Sequence, residues 1–161
     1  MLPLLELLDG YNYSARAWAL RALSGIGDPR SLSLLLDTAQ NDFALSVRRA
    51  AARGLGTIKW EQMAAADVPA AQAEVLQVLL GICRDPEWVV RYSAIAGVER
   101  LLRGLAGGDV REGAIGLLAK IAESDEDLTV RARAELAGWR SASLKDSIPL
   151  TPLVRGDWSL N

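Results

Sequence analysis

Apolar residues recur along this chain at the spacing of an amphipathic helix, in four segments that align with one another. From the first apolar residue of a segment, further small or aliphatic residues follow at steps of four, seven, eight and eleven positions. The segments begin at Ala15, Val47, Val90 and Val130, and the last one keeps the first three of these steps. This spacing predicts one buried stripe on each of four helices, and it differs from the strict alternation of a strand.

An arginine follows the first apolar residue in every segment. These repeat arginines are Arg16, Arg48, Arg91 and Arg131, and they stand 32, 43 and 40 residues apart. Helical-hairpin repeats of the HEAT and armadillo kind have periods of roughly 40–47 residues. The stripes are rich in alanine and glycine, so each helix gains little from burial alone and needs neighbours on both sides. We therefore predict an all-α fold, a right-handed α-solenoid of HEAT-like, armadillo-type helical hairpins.

Three of the striped helices have a candidate partner helix before them in the chain, and these partner stretches are 28–40, 69–84 and 109–123. The first of them opens with Asp28-Pro29, where an N-cap is followed by proline at the first helical position. The leucine-rich start, MLPLLELL, resembles the end of another such helix, so we expect the first hairpin to be incomplete. The expected repeat domain spans 1–139, and 140–161 is expected to form a C-terminal tail.

Composition and charge exclude several classes of function. The 161 residues include no histidine and one cysteine, which rules out histidine catalysis, histidine metal sites, an internal disulfide and a multi-thiolate zinc site. We accordingly expect neither a metal nor a cofactor. The net charge of −2 argues against nucleic acid as the main partner. No apolar run reaches the length of a membrane span, and the cysteine content fits a reducing cytoplasm.

The repeat arginines have a periodic acidic companion. An aspartate lies six residues before three of them, in the pairs Asp42 and Arg48, Asp85 and Arg91, and Asp125 and Arg131. Because periodic features usually belong to the scaffold, we interpret the four repeat arginines as structural. In this interpretation they bridge turn carboxylates and free carbonyl groups between repeats.

Residues that break the period are better candidates for a binding site. Arg49 and Arg53 lie four positions apart on one helix face, and Tyr92 takes the place of Arg49 in the next repeat. With Trp18, Arg21 and Trp60 they would line a groove for a flat anionic ligand, the arginines on its carboxylates and the rings against its π-system. The alternative is a solvated face with structural tryptophans, and the pattern alone favours that alternative.

No residue pattern identifies a catalytic group. Cys83 ends the apolar stretch LLGIC and has no neighbouring histidine or lysine to activate it, so we expect a buried core thiol. Carboxylates are frequent, but none of them forms a recognisable acid/base pair. The catalytic residue is therefore unknown at this point.

Three stretches resemble one family, the phycobilisome lyase HEAT-like repeat proteins, and within it the F-type subunits of heterodimeric E/F-type phycocyanin lyases. They are YNYSARAWALRALSGIGDPRSL, NDFALSVRRAAARGLGTIKW and DPEWVVRYSAIAGVERL, at Tyr11–Leu32, Asn41–Trp60 and Asp85–Leu101. The fourth copy, ESDEDLTVRARAEL, matches as well. Members of this group usually carry further repeats before the point where this chain begins, so we expect N-terminal repeats to be missing.

The resemblance implies a concrete activity. Such proteins, joined to an E-type partner subunit, promote thioether attachment of phycocyanobilin to a cysteine of the phycocyanin alpha subunit, and they can also reverse it. The nucleophile then belongs to the substrate protein. The bilin propionates would bind Arg49 and Arg53, with Tyr92, Trp18 and Trp60 against the pigment rings. The implied location is the cyanobacterial cytoplasm, beside the phycobilisome.

A second reading of the same resemblance is a protein without catalytic activity. HEAT-like repeats would then hold phycobiliproteins as an adaptor during phycobilisome assembly or degradation. Affinity for the free bilin distinguishes the two, because only the lyase subunit needs to bind the pigment.

Overall fold

Every regular element that the computed structural model describes, in residues 12–105 and 108–143, is helical. Seven α-helices are present in these residues: α1 Tyr13–Ile26, α2 Leu32–Asn41, α3 Leu45–Leu55, α4 Val68–Ile82, α5 Trp88–Gly104, α6 Asp109–Ser124 and α7 Leu128–Ser143. Single 3₁₀ turns precede α2 and α4, at Pro29–Ser31 and Trp60–Gln62. The predicted all-α architecture is confirmed.

The helices pack in two rows. The striped helices α1, α3, α5 and α7 contact one another in succession and form what we call the long row. The partner helices α2, α4 and α6 form the short row, and each packs against the striped helix that follows it. One continuous cluster of buried apolar residues runs from Ala17 in α1 to Ala137 in α7. The repeats therefore share a single core.

Glycine in the stripe lets neighbouring helices of the long row approach closely. A Cβ atom added at Gly97 in α5 would lie 2.6 Å from the carbonyl oxygen of Ala52 in α3. A Cβ atom at Gly56, which ends α3, would lie 2.5 Å from the carbonyl oxygen of Gly97. Both distances are far below van der Waals contact, so only glycine fits at these two crossing points.

Local signals set the first helix ends. The Asn12 side chain accepts a hydrogen bond from the Ala15 amide (2.9 Å) and caps α1. Gly27, at φ 70°, ends α1 in the left-handed conformation that favours glycine. Its carbonyl oxygen then accepts a hydrogen bond from the Lys59 amide (2.8 Å), which joins the end of α1 to the loop after α3.

The last helix, α7, continues to Ser143, four residues past the predicted end of the repeat domain at 139. Arg111 in α6 accounts for this continuation, because its Nη2 donates to the Ser141 carbonyl oxygen (2.8 Å) and its Nη1 donates to that of Leu102. Ser141 is fully buried there. The leucine-rich start and the remainder of the expected tail, 1–11 and 144–161, lie outside the described residues.

Candidate functional site

The repeat arginines join each repeat to the next. Arg48 donates through Nε and Nη2 to the carboxylate of Asp85 (3.0 and 3.2 Å), which belongs to the following repeat. Its Nη1 donates to the carbonyl oxygens of Asp42 and Phe43 (3.1 and 3.2 Å) in its own repeat. One guanidinium thus ties the turn of one hairpin to the turn of the next.

The same arrangement recurs on either side. Arg91 binds the carboxylate of Asp125 with two bonds of 2.9 Å and the carbonyl oxygens of Asp85 and Pro86. Arg16 binds the carboxylate of Asp42 with bonds of 3.1 and 3.0 Å. Arg131 holds the same register in α7, where it is half-buried. We call the bonded series of Arg16, Arg48 and Arg91 with their aspartates the ladder.

Each ladder aspartate is also fixed by its own turn. Its Oδ1 accepts the backbone amide two residues further on, from Ala44, Glu87 and Asp127 respectively. Burial raises the pKa of Asp125, but the hydrogen bonds from Arg91 and from the Asp127 amide, together with the charges of Arg91 and Arg131, outweigh burial and hold that pKa below its usual 3.8. The pair is therefore ionised at neutral pH, and its role is to connect the repeats.

The exposed side of the long row carries a different set of arginines, which we call the arginine face: Arg21, Arg49, Arg53, Arg100, Arg103, Arg133 and Arg140. A groove of about 510 Å³ crosses α1, α3 and α5 on this side. Four of the seven arginines line it, namely Arg21, Arg49, Arg53 and Arg100. The sequence predicted Arg49, Arg53 and Arg21 here and missed Arg100.

A second, smaller cavity of about 220 Å³ lies between α5 and α7. Arg53 and Arg100 line it as well, so the two cavities adjoin. Its remaining charged lining consists of Arg103, Arg133, Arg140 and one carboxylate, Glu99.

Glu99 is 2% exposed and holds three guanidinium groups. Its Oε2 accepts from Arg133 (2.5 Å), and its Oε1 accepts from Arg103 (2.6 Å) and Arg140 (3.5 Å). Burial raises the pKa of Glu99, but the bonds from Arg133 and Arg103 outweigh burial and keep that pKa below its usual 4.5. Glu99 is thus an anion that orients arginines, and it holds no proton to donate at neutral pH.

The arginine face has an excess of positive charge and of unpaired hydrogen-bond donors. Burial and the nearby charges of Arg53, Arg103 and Arg133 lower the pKa of Arg100. Two buried nitrogen atoms, Nε of Arg49 and Nη1 of Arg133, have no hydrogen-bond partner among the described residues. Unpaired buried donors and crowded like charges both favour the arrival of an anion.

Aromatic side chains flank the arginines. The Arg21 guanidinium lies 4.9 Å from the ring centre of Trp18, which is 69% exposed, and that of Arg133 lies 5.8 Å from the ring centre of Tyr92. Tyr92 also lines the smaller cavity. Trp60 packs against the core instead, beside Gly104 at the end of α5.

The structure therefore brings together some of the predicted site residues, but not all of them. Arg49, Arg53 and Tyr92 share one continuous surface, and Trp18 adjoins it through Arg21. Trp60 lines neither cavity among the described residues.

A repeated register could have revealed the missed arginines. Arg21 and Arg53 both stand five residues after their repeat arginine, and Arg100 and Arg140 both stand nine after theirs. Five and nine are about one helical turn apart, so these positions share a face on successive helices of the long row. Arg103 and Arg133 fall outside both registers. They join the arginine face because both bind the buried carboxylate of Glu99.

The described residues offer little for covalent or metal chemistry. Cys83 is 4% exposed, and burial, assisted by the Asp125 charge, raises the pKa of its thiol to about 12. Such a thiol is not a nucleophile at neutral pH. Within 12–105 and 108–143 no cluster of three or more histidine, cysteine or acidic side chains is placed to hold a metal ion. No helix in this part of the chain has the length and apolar character needed to span a membrane.

The chain is similar to known proteins in both sequence and fold. A family model of HEAT repeats matches residues 1–99. The phycocyanin alpha phycocyanobilin lyase CpcF of Synechocystis sp. is 55% identical over 103 residues, which are 64% of this chain and 48% of that protein. The phycobilisome maturation protein of Synechococcus elongatus is 48% identical over 141 residues, 87% of this chain and 67% of that protein.

A solved structure is similar in fold as well as in sequence. It is the complex of CpcE and CpcF of phycocyanin lyase from Nostoc sp., of which one chain matches with a TM-score of 0.78 and 42% identity, over 85% of this chain and 79% of that one. The chain spans about half the length of the Synechocystis relative. It belongs to the HEAT-repeat family, in the phycobilisome lyase group that contains the F-type subunits.

Proposed function

We propose that the chain is one subunit of a heterodimeric bilin lyase. It binds phycocyanobilin and promotes thioether attachment of the pigment to a cysteine of the phycocyanin alpha subunit, or the reverse step. Its partner is an E-type lyase subunit, and the pair acts in the cyanobacterial cytoplasm. The observation that carries the proposal is the arginine-lined groove on the long row, in a chain 55% identical over 103 residues to a protein named as that lyase.

The groove matches the chemistry of the pigment. A bilin is a linear tetrapyrrole with two propionate groups, and guanidinium groups bind carboxylates with paired hydrogen bonds. Arg49 supplies a buried Nε without a partner among the described residues, and Arg53 lies one turn further along α3. Trp18 and Tyr92 offer ring faces for the conjugated system. A volume of about 510 Å³ is typical of small-molecule sites.

The chain contributes orientation to the reaction and supplies no nucleophile of its own. In the attachment step the thiolate of the phycocyanin cysteine attacks the ethylidene group of the pigment, a C–S bond forms, and the thiol proton ends on the pigment. The S–H bond thus adds across the double bond, and no oxidant is needed. The single cysteine of this chain is buried, with a thiol pKa of about 12, and cannot compete. Holding the pigment in one geometry then supplies the rate enhancement.

Pigment transfer in a reconstituted system tests the proposal. The chain, an E-type subunit, phycocyanobilin and apo-phycocyanin alpha subunit are mixed, and the thioether-linked chromopeptide is quantified by mass spectrometry. The double variant Arg49→Gln/Arg53→Gln is expected to lower pigment affinity by about tenfold or more, since charge-assisted hydrogen bonds to the carboxylates are lost. Arg84→Gln, which removes an exposed arginine from the other side of the molecule, is the matched control.

The outcomes separate the two functions. Unchanged transfer by the double variant, with unchanged helical circular dichroism, would remove these arginines from the site. Binding of phycobiliprotein without any affinity for free phycocyanobilin would favour the adaptor function.

A further inference from the structure

The arginine face contains two adjoining cavities. The groove over α1, α3 and α5 measures about 510 Å³, and the cavity between α5 and α7 measures about 220 Å³. Arg53 and Arg100 stand at the junction, because both line both cavities. A ligand that reaches across the junction would meet cations on each side of it.

The smaller cavity has more positive charge than its one carboxylate can neutralise. Five arginines line it, and Glu99 bonds three of them, Arg103, Arg133 and Arg140. Arg100 is not among these three, and none of the described residues accepts a hydrogen bond from its guanidinium. Partial burial and the charges of Arg53, Arg103 and Arg133 lower its pKa, and the nearby Glu99 carboxylate offsets this lowering only in part.

Arg133 provides a donor that is already in position. Its side chain is 11% exposed, and Glu99 holds its Nη2 at 2.5 Å. The other terminal nitrogen, Nη1, is buried and has no hydrogen-bond partner among the described residues. A guanidinium that is fixed in position, desolvated and has one free N–H group is a preorganised anion-binding site. No further rearrangement of Arg133 is needed when the ligand binds.

We infer that the smaller cavity is a separate carboxylate site, in which Arg100 and Arg133 bind the second propionate of the pigment. The inference rests on the proposed function and deepens it. Arg49 in the larger groove takes the first propionate. Glu99 is a positioning residue, since it acts on the ligand only through Arg133 and Arg103.

Two sites explain why the arginines that line the two cavities are spread over four helices. The propionates of a bilin are carried on its two inner, adjacent rings, so they need two cationic sites that touch, as the junction at Arg53 and Arg100 provides. Two bound carboxylates also relieve the repulsion among the arginines of α3, α5 and α7, which a single carboxylate would leave largely in place.

Titration of phycocyanobilin into the complex of this chain with an E-type subunit tests the inference. The dissociation constant is measured by pigment absorbance for the wild type, Arg49→Gln, Arg100→Gln and the double variant. Each single variant should weaken binding about tenfold and the double variant about a hundredfold, because separate sites add in free energy. Arg100 is exposed, so its replacement leaves the core intact, and Arg84→Gln again serves as the control.

The dimethyl ester of phycocyanobilin gives a second readout. It lacks both carboxylate charges, so Arg100→Gln and the wild type should bind it equally. If Arg100→Gln binds the free acid as tightly as the wild type does, the inference is overturned and the proposed function is not. The same holds if the double variant binds the free acid as tightly as Arg49→Gln does. A wild-type complex that does not bind the pigment at all would overturn the proposed function and the inference together.

Discussion

Glu99 shows, at the scale of single residues, how one buried carboxylate organises a cationic surface. It is 2% exposed, yet three arginines from two helices reach it. Without it, Arg103, Arg133 and Arg140 would repel one another across the gap between α5 and α7. The smaller cavity therefore depends on this side chain for its shape.

Replacement of Glu99 is expected to destabilise the fold in a pH-dependent way. Glu99→Gln leaves Arg133 buried without its anion, and the free energy of unfolding should fall by about 3 kcal/mol at pH 7. Because the folded pKa of Glu99 lies below its usual 4.5, the stabilisation is present above pH 4.5 and is lost as the pH falls through the folded pKa. The variant should therefore lose less stability than the wild type on acidification.

Urea unfolding at pH 7 and at more acidic pH measures both effects. Glu135→Gln, a replacement of the same kind at an exposed position of α7, is the control and should change little. Equal stability of Glu99→Gln and wild type at pH 7 would show that the carboxylate does not hold the cluster.

Some of this chemistry was visible in the sequence and some was not. The spacing of Arg49 and Arg53 identifies one helix face, and both residues do line the larger groove. The roles of Arg133 and Glu99 depend on which side chains are buried together across 34 residues of chain, and periodicity carries no such information. Trp18 and Trp60 were both predicted as ring contacts, but Trp60 is partly buried against the core, whereas Trp18 is exposed.

At the scale of helices, close packing through small residues decides the fold. The alanine and glycine positions of the stripe predicted that helices could approach closely, and Gly97 meets the Ala52 carbonyl oxygen at such an approach. A larger side chain there would force α3 and α5 apart, and the groove that crosses both helices would widen.

Gly97→Ala is accordingly expected to cost about 2 kcal/mol of stability, because the added methyl group overpacks the crossing of α3 and α5. Gly116→Ala is the matched control: Gly116 lies on the exposed side of α6, and an added Cβ meets nothing within 4 Å. That control should gain about 1 kcal/mol from helix propensity. Thermal unfolding followed by circular dichroism compares the two, and a Gly97→Ala protein as stable as the control would contradict the close crossing.

Helix boundaries were less predictable than helix positions. The Asp28-Pro29 signal opens a 3₁₀ turn, and α2 itself begins at Leu32. The spacing of six residues pairs Asp42 with Arg48 along the chain. In the structure, the carboxylate that binds Arg48 comes from Asp85 in the next repeat, and Asp42 accepts from Arg48 through its backbone carbonyl oxygen. A sequence gives the distance along the chain, whereas the stacking of hairpins sets which turn lies opposite which arginine.

For the whole molecule, the ladder and the continuous core make the repeats depend on one another. Repeat proteins gain stability from the interfaces between neighbouring units, so the loss of one interface should split the unfolding transition. Arg91 lies at such an interface, 6% exposed, with bonds to both of the turns that flank it.

Arg91→Gln is expected to lower the free energy of unfolding by about 3 kcal/mol, since it leaves Asp125 without its cation. It should also broaden the urea transition, so that circular dichroism and tryptophan fluorescence no longer coincide. Arg30→Gln, which breaks an exposed ion pair with Asp28, should unfold like the wild type. A single sharp transition for Arg91→Gln at the wild-type midpoint would refute the coupling of repeats through the ladder.

A crystal structure of the complex of this chain, an E-type subunit and phycocyanobilin would locate the pigment. We expect a tetrapyrrole lying along the arginine face, with one carboxylate against Arg49 and the other against Arg100 and Arg133. A pigment bound on the short row of helices, or held without any contact to these arginines, would contradict this expectation.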